Sequence, residues 1–139
     1  MSLSSLFSAM EISASGLSAQ RIRMNVIASN IANAQTTHTP EGGPYRRKEV
    51  IFGAVLESAG KGEGVKVLGI FPDPSSFKVI YDPSHPDADP QGYVKMPNVN
   101  VILEMIDMIS ATRSYEANVS ALKAAQNMAL KALEIGRRY

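Results

Sequence analysis

The chain has 139 residues, 45% of them hydrophobic and 19% charged, which is typical of a folded globular protein and excludes wholesale disorder. Its formal net charge of +1 lacks the basic excess of nucleic-acid-binding proteins, so we expect no nucleic-acid partner. It contains no cysteine, which excludes disulfides, cysteine metal sites and thiol nucleophiles. No apolar run reaches the roughly eighteen residues of a membrane span, and the N-terminus lacks the pattern of a cleaved secretory signal. We therefore expect no membrane span, and any export to follow a route without such a signal.

The first 34 residues carry an apolar stripe at seven-residue intervals, made up of Leu3, Met10, Leu17, Met24 and Ile31. Other apolar residues fall three or four positions away, so the pattern predicts one long helix with a seam typical of a coiled coil. Such a helix would be about 45 Å long, which exceeds what a compact domain of this size needs. We therefore expect the stripe to need a partner that covers it.

Prolines and glycines are concentrated in the middle of the chain. All eight prolines lie between residues 40 and 97, together with eight of the ten glycines. Because proline interrupts helices, this predicts a terminal helical domain made of residues 1–39 and 98–139, and a β-rich insert at 40–97. Alternating apolar residues predict three strands in the insert, at 45–56, 65–71 and 77–81, in one small antiparallel sheet. Residues 57–64 are predicted as a linker, and 82–97 as an extended Pro-rich segment.

The second flank predicts a helix from Asn98 or Asn100 to Gly136, because asparagine often caps helix N-termini and glycine follows C-termini. The two helices can pair as an antiparallel, coiled-coil-like hairpin, which with the β insert gives an α+β fold. A two-helix hairpin leaves much of its apolar surface in water, so we predict that neighbouring molecules cover the rest. The predicted subunit-interface residues on the two helix seams are Leu3, Met10, Leu17, Met24, Ile31, Asn30, Asn33, Met105, Met108, Tyr115, Val119, Leu122 and Leu133.

Two groups of polar residues allow more than one interpretation. Asn30 and Asn33 either fix the register of the seam, as polar residues in coiled coils do, or lie in solvent at the end of the helix. The basic run from Arg46 to Lys48 either protects a strand edge from pairing or contacts an acidic neighbour. For the basic run the edge-protecting interpretation is favoured, because isolated surface charges contribute little to stability.

No pattern in the sequence indicates an enzyme. The two histidines, His38 and His85, lie in predicted loops without companion residues, so a hydrolase using His85 with Asp87 or Asp89 lacks other support. Asp82, with the two later aspartates, resembles a calcium loop only faintly, because intervening prolines spoil its geometry. We therefore predict no catalytic residue, no metal and no cofactor.

Three segments resemble a known family. The run from Ala28 to Ala34, with Thr36, is similar to the N-terminal signature of the axial proteins of the bacterial flagellum, its rod and hook proteins. The run from Ser114 to Val119 is similar to the C-terminal helix motif of that family. Residues 81–89 and 92–100 resemble its proximal rod proteins more narrowly.

The resemblance implies a structural role, with no enzymatic activity. It implies a proximal rod subunit that leaves the cytoplasm through the flagellar type III export channel and stacks helically in the periplasm, where the rod acts as a drive shaft that transmits torque. The terminal helices would form an inner tube and the insert an outer layer. The implied partners are other copies, other proximal and distal rod proteins, the export-gate adaptor at the rod base and the inner-membrane ring protein. The alternative is a soluble helical-hairpin adaptor or export chaperone that binds another protein's helix.

Overall fold

Along the chain, four short strands lie between two long helices. The computed structural model describes residues 2–55 and 64–137, so the predicted linker lies, apart from Gly64, outside the described residues. The elements in chain order are α1 (Leu3–Ala32), β1 (Lys48–Val55), β2 (Gly64–Pro72), β3 (Lys78–Tyr81), β4 (Tyr93–Met96) and α2 (Val101–Gly136). The predicted α+β class, with terminal helices around a β insert, is confirmed.

Both helices begin at capping residues. The Ser2 side chain accepts a hydrogen bond from the Ser5 backbone N–H at 3.3 Å, which satisfies one of the free donors at the start of α1. The Asn100 Oδ1 accepts from the backbone N–H groups of Ile102 and Leu103, at 3.1 and 3.3 Å, and so caps α2. The predicted start at Asn100 and the predicted end at Gly136 are therefore confirmed.

The two helices run antiparallel and contact each other along their length. Asn30 near the end of α1 bonds Glu104 near the start of α2, while Gly16 lies against Asn118. A Cβ at position 16 would lie 2.9 Å from the Asn118 Nδ2. A larger residue at this crossing would therefore require the Asn118 side chain to move.

The core of the hairpin is built from small and polar side chains. The buried residues of the two helices are Leu6, Ser13, Ala19, Ile27, Asn30, Glu104, Ala111, Ala125 and Ala129. Small residues let helix backbones approach closely, but they remove little apolar surface from water. Apart from Leu6 and Ile27, the bulkier apolar residues of both helices lie on the flanks and the outside of the hairpin.

The insert contains two separate two-stranded sheets, so the predicted single sheet of three strands is wrong. β1 pairs antiparallel with β2, with an irregularity between Ile51 and Phe52, and β3 pairs with β4. Residues 93–96, predicted as part of an extended segment, form β4 because Gly92, at a φ of 85°, reverses the chain. Val94 is then fully buried, and the rings of Tyr81 and Tyr93 meet edge to face with centroids 5.3 Å apart.

Candidate assembly interface

The predicted seam residues of α1 flank the hairpin core. Met10, Leu17, Met24 and Ile31 are half-buried, and Leu3 is 44% exposed. The buried positions Leu6, Ser13 and Ile27 follow three residues after members of this stripe. The heptad spacing itself indicates such a second row, but Ser13 does not stand out in an apolar pattern.

The predicted residues of α2 divide into two groups. Met108, Tyr115, Val119 and Leu122 are half-buried beside the core. Met105 and Leu133 are more than half exposed, at 55% and 52%. The structure therefore leaves the predicted apolar residues of both helices partly or largely accessible, and the role of the predicted set in contacts between subunits stays a prediction.

One face of α2 is apolar and uncovered. The exposed fractions of Ile102, Met105, Ile106 and Ile109 lie between 55% and 71%. Their spacing of three and four residues places them together on the side of the helix opposite the buried Glu104. We name these four residues the outer apolar face. Contiguous exposed apolar residues of this kind mark sites of protein association.

Asn30 lies at the centre of a polar cluster where α1, α2 and the start of β1 meet. Its Nδ2 donates to the Glu104 Oε2 at 3.0 Å and to the Lys48 backbone oxygen at 2.9 Å. Its Oδ1 accepts from the Tyr45 hydroxyl at 2.9 Å and from the Lys48 N–H at 3.0 Å. Asn30 is only 1% exposed, and both donors and both lone pairs of its amide are used. The interpretation that Asn30 fixes a buried register is therefore supported, whereas the solvent interpretation is wrong.

Arg47 completes this cluster, which we name the junction cluster (Asn30, Tyr45, Arg47 and Glu104). Its Nε bonds the Glu104 Oε1, and its Nη1 bonds Glu49 and, at 3.1 Å, Asp73. Burial alone lowers the pKa of Arg47, but hydrogen bonds to Glu104 and Glu49 outweigh it, so the pKa is raised and the guanidinium stays charged. The pKa of Asp73 is lowered, first by hydrogen bonds from Ser75 and then by Arg47.

Arg46 and Arg47 of the basic run do not act as edge-protecting charges, contrary to the favoured interpretation, whereas the Lys48 side chain is exposed. Arg46 donates from Nη1 to the backbone oxygens of Asp73 and Ser75, at 2.8 and 2.9 Å, and its guanidinium lies 4.2 Å from the centre of the Phe77 ring. The Arg47 side chain is only 19% exposed. Arg46 therefore makes contacts within the insert, and Arg47 also joins the insert to α2 through Glu104. The acidic-neighbour interpretation describes Arg47.

Asn33 and the aspartates of the Pro-rich loop hold turns. Asn33 donates from Nδ2 to the Ser29 backbone oxygen at 2.9 Å and so closes the end of α1. Asp82 accepts from the Ser84 hydroxyl, which lowers the pKa of Asp82, and Asp87 accepts from the Thr37 hydroxyl at 2.7 Å.

Across residues 2–55 and 64–137, no group of three or more histidine, aspartate or glutamate side chains is placed to hold a metal ion. Within those same ranges, neither helix is apolar enough over a sufficient length to cross a membrane.

Two family models match the chain, one in each helical flank. The model described as "Flagella basal body rod protein" matches residues 10–37, which include most of α1. The model described as "Flagellar basal body rod FlgEFG protein C-terminal" matches residues 91–135, which include β4 and nearly all of α2. The matched regions thus contain the outer apolar face and two of the four junction-cluster residues.

Curated relatives match the chain over almost its full length. A protein of Bacillus subtilis is 47% identical over 94% of this chain and 98% of its own length. A protein of Borreliella burgdorferi is 44% identical, with 94% and 97% covered, and one of Salmonella typhimurium is 43% identical, with 95% and 98% covered. All three are named "Flagellar basal-body rod protein FlgC". At this identity and coverage, the chain belongs to the FlgC family of flagellar basal-body rod proteins.

Proposed function

We propose that this chain is a structural subunit of the proximal flagellar rod, which assembles helically with copies and relatives of itself and transmits torque. The outer apolar face carries the proposal, because four large side chains on one side of α2 have no cover within the described chain. Membership of the FlgC family supports the same role. A structural subunit needs such surfaces, whereas an enzyme does not.

The proposal extends to the layout of the subunit in the rod. Residues 1–39 and 98–139 would form the inner tube, and residues 40–97 the outer layer. Neighbours would be other proximal and distal rod proteins, the export-gate adaptor at the rod base and the inner-membrane ring protein. The subunit would reach the periplasm by flagellar type III export. The half-buried seam residues support this layout, because each presents apolar surface that only a neighbouring molecule can cover.

A charge on the outer apolar face tests the proposal. We expect Ile106→Asp to leave the free subunit folded, since Ile106 is 55% exposed, and to block assembly, since burying an unpaired carboxylate is costly. Cells whose rod subunit is replaced by this variant should be non-motile, and electron microscopy should show basal bodies without a complete rod. Leu17→Asp and Leu122→Asp should have the same effect.

Ser120→Asp is the matched control, because it adds the same charge to an exposed position of the same helix. Circular dichroism of each purified variant separates failure to fold from failure to assemble. Complete rods and normal motility with Ile106→Asp would contradict the proposal. A folded variant that fails to bind one soluble protein, while rods remain complete, would favour the adaptor alternative.

A further inference from the structure

An open groove runs between α1 and the β1–β2 sheet. Its walls are formed by Ile22 and Val26 of α1 and by Ile70 of β2, and its volume is about 620 Å³. Ile70 lines the groove and is still 49% exposed, which shows that the chain does not fill this space. An apolar groove of this size is large enough to accept side chains from another helix.

The groove has an apolar end and a cationic end. Along α1 it extends from Ile22 to Ser29, which is about 10 Å. Lys48 lines the Ser29 end, because its backbone is hydrogen-bonded to the neighbouring Asn30. The Lys48 side chain is exposed and takes no part in the described salt bridges, and its ammonium lies 5.9 Å from the centre of the Tyr45 ring. A ligand segment that fits should therefore carry apolar side chains followed by a negative charge.

The last turns of α2 extend beyond α1. The contacts of Gly16 with Asn118 and of Asn30 with Glu104 set a register that places Leu3 opposite about residue 131. The five helical residues after that point have no part of α1 beside them, and they span about 8 Å. Ala129 is the last buried residue of α2, and residues 130–136 are all exposed. We name residues 130–136 the C-terminal overhang.

The C-terminal overhang carries the pattern that the groove requires. Leu130, Leu133 and Glu134 share one helix face, because they are three and four residues apart. Leu130 and Leu133 are 53% and 52% exposed. An apolar pair followed by a carboxylate matches, in order, apolar walls followed by Lys48.

We propose that the C-terminal overhang of one copy docks in the groove of the next copy, with Glu134 beside Lys48. The groove and the overhang lie about 35 Å apart along the hairpin, so one chain cannot join its own two surfaces. Contacts between two different surfaces of identical subunits are heterologous and extend into open arrays. This inference rests on the proposed function, since it names the surface through which one rod subunit binds another.

Cysteine cross-linking tests the contact directly, because the natural chain contains no cysteine. Ile22→Cys and Leu133→Cys are placed in separate copies that are expressed together in cells lacking the native subunit. After mild oxidation of isolated rods, we expect a cross-linked dimer of this chain on a non-reducing gel. Ser120→Cys with Leu133→Cys is the matched control, since Ser120 is exposed on α2 but does not line the groove.

A charge exchange adds a second readout. We expect Lys48→Glu or Glu134→Lys alone to lower the cross-link yield about tenfold, and the two exchanges together to restore it. Three results would each overturn the docking contact. These are complete rods without the dimer, a dimer formed mainly by the control pair, and a cross-link to a different protein. Complete rods and normal motility in cells that lack this chain altogether would instead count against the proposed function, so the two failures are distinguishable.

Discussion

Asn30 and Glu104 are the largest polar side chains that the fold buries completely, and they decide how the insert sits on the hairpin. They join the end of α1 to the start of α2, and they are joined to the start of β1 by Arg47, which bonds Glu104, and by the Lys48 backbone, which bonds Asn30. Buried polar groups favour a single arrangement when every donor and acceptor has a partner. The junction cluster therefore fixes the insert relative to the helices, as the proposed torque-transmitting role would require.

Removing Glu104 should be strongly destabilising, because it leaves the Arg47 guanidinium and the Asn30 amide without their buried partner. We expect Glu104→Ala to lower the free energy of unfolding by about 3 kcal/mol, measured by urea denaturation. Glu116→Ala, at an exposed position of the same helix, should change it by less than about 0.5 kcal/mol. Equal stabilities of the two variants would show that the junction cluster does not hold the fold together.

At this scale the sequence indicates the special role of Asn30 but not its partners. An asparagine in a long apolar helix is a candidate for a buried polar contact, and the structure confirms that interpretation. The role of Arg47 was missed because Glu104 lies 57 residues away and Asp73 lies 26 residues away. Contacts between residues so distant in sequence depend on the topology, which a run of three basic residues does not reveal.

At the scale of elements, the hairpin depends on how closely its helices approach. Gly16 lies where an added Cβ would meet the Asn118 side chain, which is itself held by a hydrogen bond to the Ser114 backbone oxygen. The heptad pattern predicts both helices and their pairing. It does not predict that four alanines and Ser13 are buried in the core while most of the large side chains of the apolar stripes lie on the flanks, because an apolar pattern is read from its large residues.

A double-mutant cycle tests the close approach at Gly16. In the natural chain we expect Gly16→Ala to destabilise by about 1 kcal/mol, since overpacking outweighs the better helix propensity of alanine. In an Asn118→Ala background the same change should stabilise by about 1 kcal/mol, because the clash is gone. Thermal unfolding of the natural chain, the two single variants and the double variant gives the coupling free energy between positions 16 and 118. Identical effects of Gly16→Ala in both backgrounds would exclude the contact.

The strand pairing shows where prediction from the sequence fails. Alternating residues mark β1, β2 and β3 within a few positions, but proline-rich sequence hides β4. The turns between Asp82 and Gly92 are held by local hydrogen bonds, and they return the chain so that Tyr93 pairs with Tyr81. Strand order therefore follows from turn geometry, which composition alone does not specify.

At the scale of the whole molecule, most of the large apolar side chains of the helix ends and the outer apolar face are not covered by the described chain. The junction cluster stabilises one end of the hairpin, whereas the other end has Leu6 and alanines in its core and the exposed C-terminal overhang beside them. In proteins, a helix gains most of its stability from packing against other elements, and an isolated helix is only marginally stable in water. The free end of the hairpin should therefore become fully ordered only when neighbouring subunits cover it.

Hydrogen exchange of the isolated chain and of assembled rods tests this central claim most directly. In the isolated chain we expect amides of residues 3–12 and 122–136 to exchange rapidly, while those of 24–32 and 101–111 near the junction cluster are protected. In rods, both groups should be protected. Equal and strong protection of both groups in the isolated chain would contradict the account, because it would mean a hairpin that is complete without neighbours.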